Sequence, residues 1–493
     1  MTCYIAFPVA SAYHFFMKKN SILIGRELEI SSIAQSLTKT EPQLIVISGR
    51  RRVGKTFLIN EYFQNNFCFK LTGLYGKPMT DQLAAFSDEY ERRTGKDVSR
   101  GLTWRKAFNY LRGYLETLPA NEKLVVFFDE MPWMATKKSG FLSMFEHFWN
   151  DYGSAKHNLV FVVCGSSATW ISDKIDKNKG GLFQRTTLRL KIEPWTLGQC
   201  EAYLRANGFL WSRYDICTAY MVLGGIPYYF KKLDPSQSLG ENIDRFFFNK
   251  GASLTDEYKI ALATLFEDDP KSTMILESLS KKKKGLTFSE IASACEMEEG
   301  GHLSDKINKL ISSGFVKERE FFDGRKRTLY QLSDYFTLFY LRFVRGKSLG
   351  EHFWSSSYEN PSIAAWQGLT FQSLCFDHVS QIKRALGISG VVTHVYEFSV
   401  QGEGEEKGAQ IDMVIDRNDG ISTLVEIKFS RGEYQITKDM SADIANKAAV
   451  FRKYAKRRTS IQTCLIAPFG LANGMYASTA NKQLSLDHLF ADE

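Results

Sequence analysis

The stretch GRRRVGKT, Gly49 to Thr56, constrains the fold more than any other part of this 493-residue chain. An apolar, β-branched run before it is typical of a buried parallel strand, and the apolar periodicity after it predicts a helix. Glycines let backbone N–H groups close around phosphate oxygens, Lys55 can reach the β and γ phosphates, and Thr56 can hold Mg²⁺. We therefore expect a nucleotide-binding loop made of Gly49, Arg50, Arg51, Arg52, Val53, Gly54, Lys55, Thr56 and Phe57, with Lys55 also acting in catalysis.

A second motif, KLVVFFDEMPWM, ends another buried strand in two acids. Asp129 at the carboxyl end can bind the cofactor and orient the ligands of Mg²⁺, and Glu130 can polarise an attacking water molecule. A third apolar strand ends in Ser166 and Ser167, where a hydroxyl could sense the γ phosphate. Together the motifs predict a site in which Glu130 is catalytic and Ser166 binds the cofactor.

Strand-like and helical stretches alternate along the first part of the chain, with FCFKLTG and LRLKIEPW as two further strands. This alternation predicts an α/β fold with a parallel sheet, whose ligand binds at the carboxyl ends of the strands. We assign residues 21–195 to this core and the amphipathic helices of 196–265 to a lid. Residues 1–20 form an N-terminal extension that lacks the order of a secretory signal, and Met17 is a candidate for the true start.

Composition limits the class of protein. The net charge is +8, hydrophobic residues make up 44% and charged residues 24%, which is typical of soluble globular chains and compatible with nucleic acid. We find no apolar run of about 18 residues, so no membrane span is expected. The eight cysteines are scattered without a CxxC pair, which indicates reduced thiols, a cytoplasmic location and no structural zinc.

Residues 266–345 have the pattern of a winged helix. Helices are predicted at Thr273–Leu279, Phe288–Cys295 and Leu303–Ser312, followed by two strands joined through Asp323-Gly324. In such a fold the third helix can enter the DNA major groove, but the 14 basic and 13 acidic residues here nearly cancel. DNA binding and protein packing both stay open for this domain. The candidate DNA contacts are Lys281 to Lys284, Lys306, Lys309, Arg325, Lys326 and Arg327.

The pattern of helices and strands over residues 346–493 predicts a second α/β domain. A long helix, IAAWQGLTFQSLCFDHVSQIKRAL, precedes three strands, a basic helix and a last strand. Asp412 interrupts an apolar strand, and an isolated acid there is costly unless it is paired or binds metal. Glu426 and Lys428 are two apart on the next strand and share one face. We predict that Asp412 and Glu426 hold Mg²⁺ and that all three act in catalysis, with Lys428 positioning water or stabilising charge.

The order of motifs resembles archaeal-type ATPases of the AAA+/STAND group over residues 21–265. LIGRELEI (Leu23 to Ile30) is similar to the box that precedes the phosphate loop in that group. GGLFQR resembles its arginine-finger segment and GGIPYYF its G-x-P motif. The resemblance implies that Pro227 contacts the nucleotide, that the cofactors are ATP and Mg²⁺, and that Arg185 acts on a neighbouring subunit of a nucleotide-dependent homo-oligomer. For Arg185 a solvated surface role is an equal alternative.

The C-terminal pattern over residues 365–470 looks like the PD-(D/E)xK nuclease-like superfamily. It departs from that pattern at Gln372, which stands where a helical glutamate is usual and which supplies no negative ligand. Glu397 and Glu403 are candidate substitutes. A basic helix over 438–458 favours nucleic acid, with Lys438, Lys447, Arg452, Lys453, Lys456, Arg457 and Arg458 against Asp439 and Asp443.

Two functions are compatible with the sequence. In the first, an ATPase controls a DNA-engaging domain that cuts DNA with Mg²⁺. In the second, the nucleotide controls signalling or assembly, and an inactive nuclease-like domain binds DNA or protein.

Overall fold

A computed structural model describes residues 23–491, with gaps at 167–169, 171–184, 259, 261–268, 283, 348, 358, 403, 405–406 and 456–458. The predicted N-terminal extension and Met17, and also Ser167 and Glu403, lie outside the described residues. The chain divides into two compact units, Met1–Pro194 and Trp195–Glu493, and each is described by itself.

The first unit contains a five-stranded parallel sheet in the order β2-β3-β4-β1-β5. Every residue of β3 and β4 is buried, as expected for strands covered by helices on both faces. The predicted α/β core with a parallel sheet is confirmed. Its strands are β1 Gln43–Gly49, β2 Phe69–Thr72, β3 Leu124–Asp129, β4 Leu159–Gly165 and β5 Leu188–Ile192.

Helices of the first unit pack on this sheet through an aromatic-rich core. Phe108 on one helix packs near Phe128 of β3, and Phe145 on another lies 5.1 Å, centroid to centroid, from Phe161 of β4. Burying several such rings is a main source of stability, since each removes a large apolar area from water. The helices are α1 Glu27–Leu37, α2 Lys55–Tyr62, α3 Met79–Thr94, α4 Trp104–Glu116, α5 Met131–Met134 and α6 Phe141–Asp151.

The second unit contains a seven-stranded mixed sheet in the order β12-β11-β10-β9-β8-β6-β7. The hairpin β6–β7 turns at Gly324, which has a φ of 97°. This hairpin joins the C-terminal strands through a short parallel contact in which Phe321 and Phe322 pair with Glu397 and Phe398. The strands are β6 Val316–Phe322, β7 Lys326–Leu332, β8 Thr393–Val400, β9 Ala409–Arg417, β10 Ile421–Ile427, β11 Ser460–Ile466 and β12 Lys482–Leu484.

Helices of the second unit include one departure from the sequence prediction. The long helix expected before β8 is two helices, because the chain breaks at His378, which has φ −112° and ψ 30°. A five-residue π-helix, Tyr340–Val344, follows the helix Tyr335–Phe339. The helices are α7 Leu197–Ala206, α8 Arg213–Leu223, α9 Pro227–Phe230, α10 Leu239–Phe247, α11 Pro270–Lys281, α12 Phe288–Ala294, α13 Gly301–Ser312, α14 Tyr335–Phe339, α15 Phe353–Ser356, α16 Pro361–Asp377, α17 Val379–Ala385, α18 Lys438–Tyr454 and α19 Leu486–Leu489.

Within the described residues, no helix combines the length and apolar character that crossing a bilayer demands. The seven cysteines of this part of the chain are buried free thiols.

Candidate functional site

The phosphate loop connects β1 to α2 at the carboxyl edge of the first sheet. Gly54, the N-cap of α2, has a φ of 94°, which favours glycine, and it leaves the first turn of the helix open toward the loop. Gly49 has a φ of 146°, and a Cβ there would lie 2.4 Å from the backbone oxygen of Ile192 on β5. Both glycines of the motif are therefore required by the backbone.

The Lys55 ammonium lies inside the loop. The side chain is buried, and Nζ donates to the backbone oxygens of Gly49 and Arg50, at 2.9 Å each. The ammonium therefore sits where an anion cradled by the loop would meet it.

Arg26 braces the loop from outside, a role that the sequence did not predict. Its guanidinium is buried and Nη2 donates to the backbone oxygens of Val53, at 3.0 Å, and Glu193, at 2.9 Å. Nη1 donates to Glu29 Oε1 at 3.1 Å. The arginine of the LIGRELEI box thus ties α1, the loop and the end of β5 together.

Thr56 and Asp129 meet beside the loop. The Thr56 hydroxyl donates to Asp129, 2.9 Å from Oδ2 and 3.1 Å from Oδ1. Asp129 ends β3 and is 4% exposed. A hydroxyl and a buried carboxylate in contact are oxygen ligands of the kind that Mg²⁺ prefers.

Glu130 and Ser166 also contact each other. Glu130 Oε2 accepts from the Ser166 backbone N–H at 3.0 Å and from its hydroxyl at 2.9 Å. Glu130 follows β3 in the left-handed region, with a φ of 48°, which is uncommon for a residue other than glycine. The backbone here is held so that the carboxylate reaches the neighbouring strand.

These residues fit a nucleotide with its metal. The loop offers backbone N–H groups at a helix N-terminus, a buried ammonium and the Thr56–Asp129 pair. In addition, Nη1 of Arg51 is buried and has no hydrogen-bond partner among the described residues. A buried cationic N–H group in that state is suited to an anionic oxygen.

The other residues predicted for the nucleotide site lie around or away from the loop. Phe57 is on α2 and is 42% exposed. Arg185 is exposed just before β5, and the rest of the GGLFQR segment lies outside the described residues. Pro227 is the first residue of α9 and belongs to the second unit. The roles predicted for Arg185 and Pro227 stay predictions.

The second glycine of the GGIPYYF motif, Gly225, is required by the backbone geometry of the second unit. Gly225 has a φ of 64°, its backbone oxygen accepts from the Trp195 N–H at 2.8 Å, and a Cβ would lie 2.3 Å from the Trp195 oxygen. The second glycine therefore fixes the loop before Pro227 against the start of the unit.

Asp412 and Glu426 are neighbours across β9 and β10. Val425 pairs with Met413 in the antiparallel ladder, and the next step of this register places Glu426 opposite Asp412. Asp412 Oδ2 accepts from the Ile427 backbone N–H at 2.9 Å. Burial and the adjacent Glu426 raise the pKa of Asp412 to about 6. The two carboxylates predicted to be together are brought together.

Glu426 is held by two lysines. Lys428 Nζ lies 2.6 Å from Oε1 and Lys447 Nζ lies 2.8 Å from Oε2. Burial favours the neutral form of each lysine, but Glu426 outweighs it and leaves both pKa values above the ordinary value. The sequence grouped Lys447 with the basic residues that favour nucleic acid, whereas its side chain turns inward from α18 to Glu426.

Gln372 and Glu397 have different partners. Gln372 Nε2 donates to the backbone oxygen of Asp412 at 3.1 Å, so the amide lies beside the two carboxylates. Glu397 accepts from Gln331 of the hairpin at 3.1 Å, and burial raises its pKa. Glu397 therefore does not replace the missing glutamate, because it is engaged by the hairpin.

A tyrosine of the predicted lid packs against Phe429, the residue that follows Lys428. Tyr214 on α8 stacks on Phe429, with 4.8 Å between ring centroids, and on Phe469 at 5.7 Å. Phe429 also packs against Phe371 of α16 at 5.0 Å. The sequence did not predict this aromatic cluster, since its members are separated by 40 residues or more.

Comparison with known proteins now identifies part of the chain. Residues 23–233 match the family model described as an ATPase domain predominantly from Archaea. These residues are therefore similar to an archaeal-type ATPase domain. The matched range includes Arg26, the phosphate loop, Asp129, Glu130 and Ser166, and it ends in the predicted lid.

An uncharacterized protein of Methanocaldococcus jannaschii is 21% identical over 434 residues, which cover 87% of this chain and 92% of that protein. The Walker-type ATPase of Pyrococcus abyssi has a TM-score of 0.47 at 18% identity, covering 65% of this chain and 96% of its own. The Aeropyrum pernix ORC2 protein has a TM-score of 0.42 at 13% identity, covering 65% and 95%. The Asp412 and Glu426 cluster lies outside the range of the ATPase family model.

Proposed function

We propose that the protein is an ATP-hydrolysing switch whose lid communicates nucleotide state to a DNA-engaging, nuclease-like C-terminal module. The observation that carries the proposal is the paired arrangement at the ends of β3 and β4, with Asp129 on Thr56 and Glu130 on Ser166. A metal-binding pair and a carboxylate held at the next position are what phosphoryl transfer to water requires.

Each residue of the loop has a separate task. Lys55 and the backbone N–H groups bind phosphate oxygens, and Thr56 with Asp129 would hold Mg²⁺. The metal, when bound, supplies positive charge that stabilises the phosphates during transfer. Glu130 orients a water molecule and accepts its proton, and for this it has to be released from Ser166 or to share that hydrogen bond with the water.

Two variants test ATP hydrolysis. Glu130→Gln keeps the size of the side chain and one acceptor oxygen but removes the base, so ATP should bind while hydrolysis falls by a factor of about 100 or more. Lys55→Ala should lose ATP binding as well. The measurements are phosphate release and titration with a fluorescent ATP analogue. Equal hydrolysis by Glu130→Gln and the wild type would exclude the proposed role of Glu130.

The Tyr214 stack supports communication between the lid and the C-terminal module. Tyr214 belongs to the predicted lid, and Phe429 directly follows the Glu426-Ile427-Lys428 segment. A displacement of α8 would therefore shift Phe429 and the adjacent Lys428, because closely packed aromatic rings move together rather than deform.

Tyr214→Ala tests this communication, with Leu210→Ala as the control because Leu210 is a 93% exposed apolar residue of the same predicted lid. We expect wild-type affinity for DNA to differ between ATP and ADP, and this difference to disappear in Tyr214→Ala. The readout is fluorescence anisotropy of labelled DNA with each nucleotide. Identical nucleotide dependence in wild type and Tyr214→Ala contradicts communication through this stack.

DNA cleavage is the alternative role of the same module. The side chains of Asp412, Glu426 and Lys428 converge at one strand end, but both oxygens of Glu426 are paired with lysines, which favours binding without cutting. Incubating the wild type and Asp412→Ala with DNA and Mg²⁺ or Mn²⁺ decides the point. Cutting by the wild type that Asp412→Ala abolishes would establish the nuclease.

A further inference from the structure

Each oxygen of the Glu426 carboxylate is already paired with a lysine. Lys428 approaches Oε1 along the strand and Lys447 approaches Oε2 from α18, at 2.6 and 2.8 Å. Lys447 is itself fixed by Asp443, whose Oδ2 lies 3.0 Å from the ammonium. The side chains of Glu426 and Lys447 are 10% and 14% exposed, so the pair is shielded from solvent. The Lys447 ammonium is therefore a built-in part of this site.

The residues present do not fit a resident Mg²⁺ ion. Mg²⁺ takes six oxygen ligands in near-octahedral geometry and usually binds through carboxylates and water. Asp412 and Glu426 bring two negative charges, and the ammonium groups of Lys428 and Lys447 lie against them, with Lys447 shared with the exposed Asp443. Gln372 brings its amide nitrogen to the Asp412 backbone and no charge. Among the described residues, no group of three or more His, Cys, Asp or Glu side chains is placed to hold a metal ion.

We propose that Lys447 takes the place of a divalent cation in the C-terminal site, so that this site contains no metal in the native protein. The ammonium supplies positive charge directly against the Glu426 carboxylate, at the position where a cation would lie. The inference deepens the proposed function by specifying a module that binds without a metal. It concerns the C-terminal site alone and is independent of ATP hydrolysis.

The test is a titration of the full chain with Mn²⁺ in the absence of nucleotide and DNA. Electron paramagnetic resonance measures the Mn²⁺ that stays free in solution. Any Mn²⁺ ion held at the phosphate loop is bound by every variant. Only bound Mn²⁺ that is lost when Asp412→Asn is introduced therefore reports on the C-terminal site. We expect wild type and Asp412→Asn to bind Mn²⁺ equally. Lys447→Met keeps the length of the side chain and removes its charge. This variant should bind one additional Mn²⁺ ion, and its affinity at this site should exceed that of the wild type about tenfold or more. That gain should vanish in Lys447→Met/Asp412→Asn.

The control is Lys438→Met, an exposed lysine on the same helix, which should bind Mn²⁺ like the wild type. Circular dichroism and thermal melting establish that each variant is folded, and Lys447→Gln replaces Lys447→Met if the latter does not fold. A Mn²⁺ ion bound by the wild type and lost in Asp412→Asn overturns the inference. Folded Lys447 variants that gain no Mn²⁺ also overturn it. Neither result affects the ATPase proposal, which the phosphate-release assay tests.

Discussion

Replacing Arg26 by methionine should weaken the ATPase domain and its hold on nucleotide together. Methionine keeps most of the aliphatic stem but loses the hydrogen bonds to the carbonyls of Val53 and Glu193. Hydrogen bonds from charged groups contribute about 1.5 to 3 kcal/mol each, so losing two costs at least about 3 kcal/mol. For a unit of this size, about 2 to 4 °C per kcal/mol predicts a melting temperature lower by about 6 to 12 °C.

The assay is calorimetry of the full chain with and without ATP and Mg²⁺, because the transition that shifts with ligand belongs to the unit that binds it. A fluorescent ATP analogue measures affinity, which should fall because Val53 loses its anchor within the loop. Glu29→Gln keeps an acceptor oxygen for Arg26 and leaves both backbone hydrogen bonds in place, so it should lower the melting temperature less than Arg26→Met. Lys39→Met, at an exposed position, should change nothing. If Arg26→Met melts and binds ATP like the wild type, the bracing role is refuted.

Two further predictions concern the second unit. Burial lowers the pKa of His378, whose Nε2 accepts from the Leu197 N–H at 3.2 Å, so its stabilising contribution is present above about pH 6.5 and is lost as the pH falls below it. The melting temperature of the wild type should therefore drop more steeply below about pH 6.5 than that of His378→Gln, and parallel curves would contradict this. Gly225→Ala places a Cβ 2.3 Å from the Trp195 oxygen and should lower the melting temperature far more than Gly251→Ala, which also has a positive φ but open space around it. Equal losses in the two variants would show that strain from φ alone matters.

Contiguous motifs explain why the nucleotide site was predictable. The loop, Asp129, Glu130 and Ser166 each follow an apolar strand, and parallel strands bring their carboxyl ends to one edge. Arg26 was not predictable in this way, because its partner Val53 is 27 residues away and a buried arginine leaves no periodic signal.

The C-terminal unit shows a different limit. The strands and the approach of Asp412 to Glu426 follow from alternation and register, but the partner of Glu426 depends on which face of α18 packs on the sheet. Lys447 reads as one of several basic residues in a helix, and only tertiary packing selects it. The break at His378 was missed because the apolar periodicity continues across it, and tertiary hydrogen bonds stabilise the irregular residue.

Two of the basic residues predicted to contact DNA are paired with acids within the second unit. Lys306 lies 2.5 Å from Asp269, and Arg327 lies 2.9 Å from Asp323. Such pairs contribute little to attracting a polyanion, because the acid cancels the charge at short range. In the hairpin, Arg325 and Lys326 stay exposed beside the turn.

If DNA contacts the wing, which is the hairpin β6–β7, the exposed side chains at its turn have to make the contact. Arg325→Ala/Lys326→Ala should reduce DNA affinity and should lower the slope of log affinity against log salt by about 2, since each phosphate contact contributes about 0.9. Lys306→Met should leave the slope unchanged, because its ammonium is already paired with Asp269. Both are measured by anisotropy across a series of salt concentrations. If the slope of the double variant equals that of the wild type, the wing does not contact DNA, and the winged-helix segment acts as a packing element between the lid and the C-terminal strands.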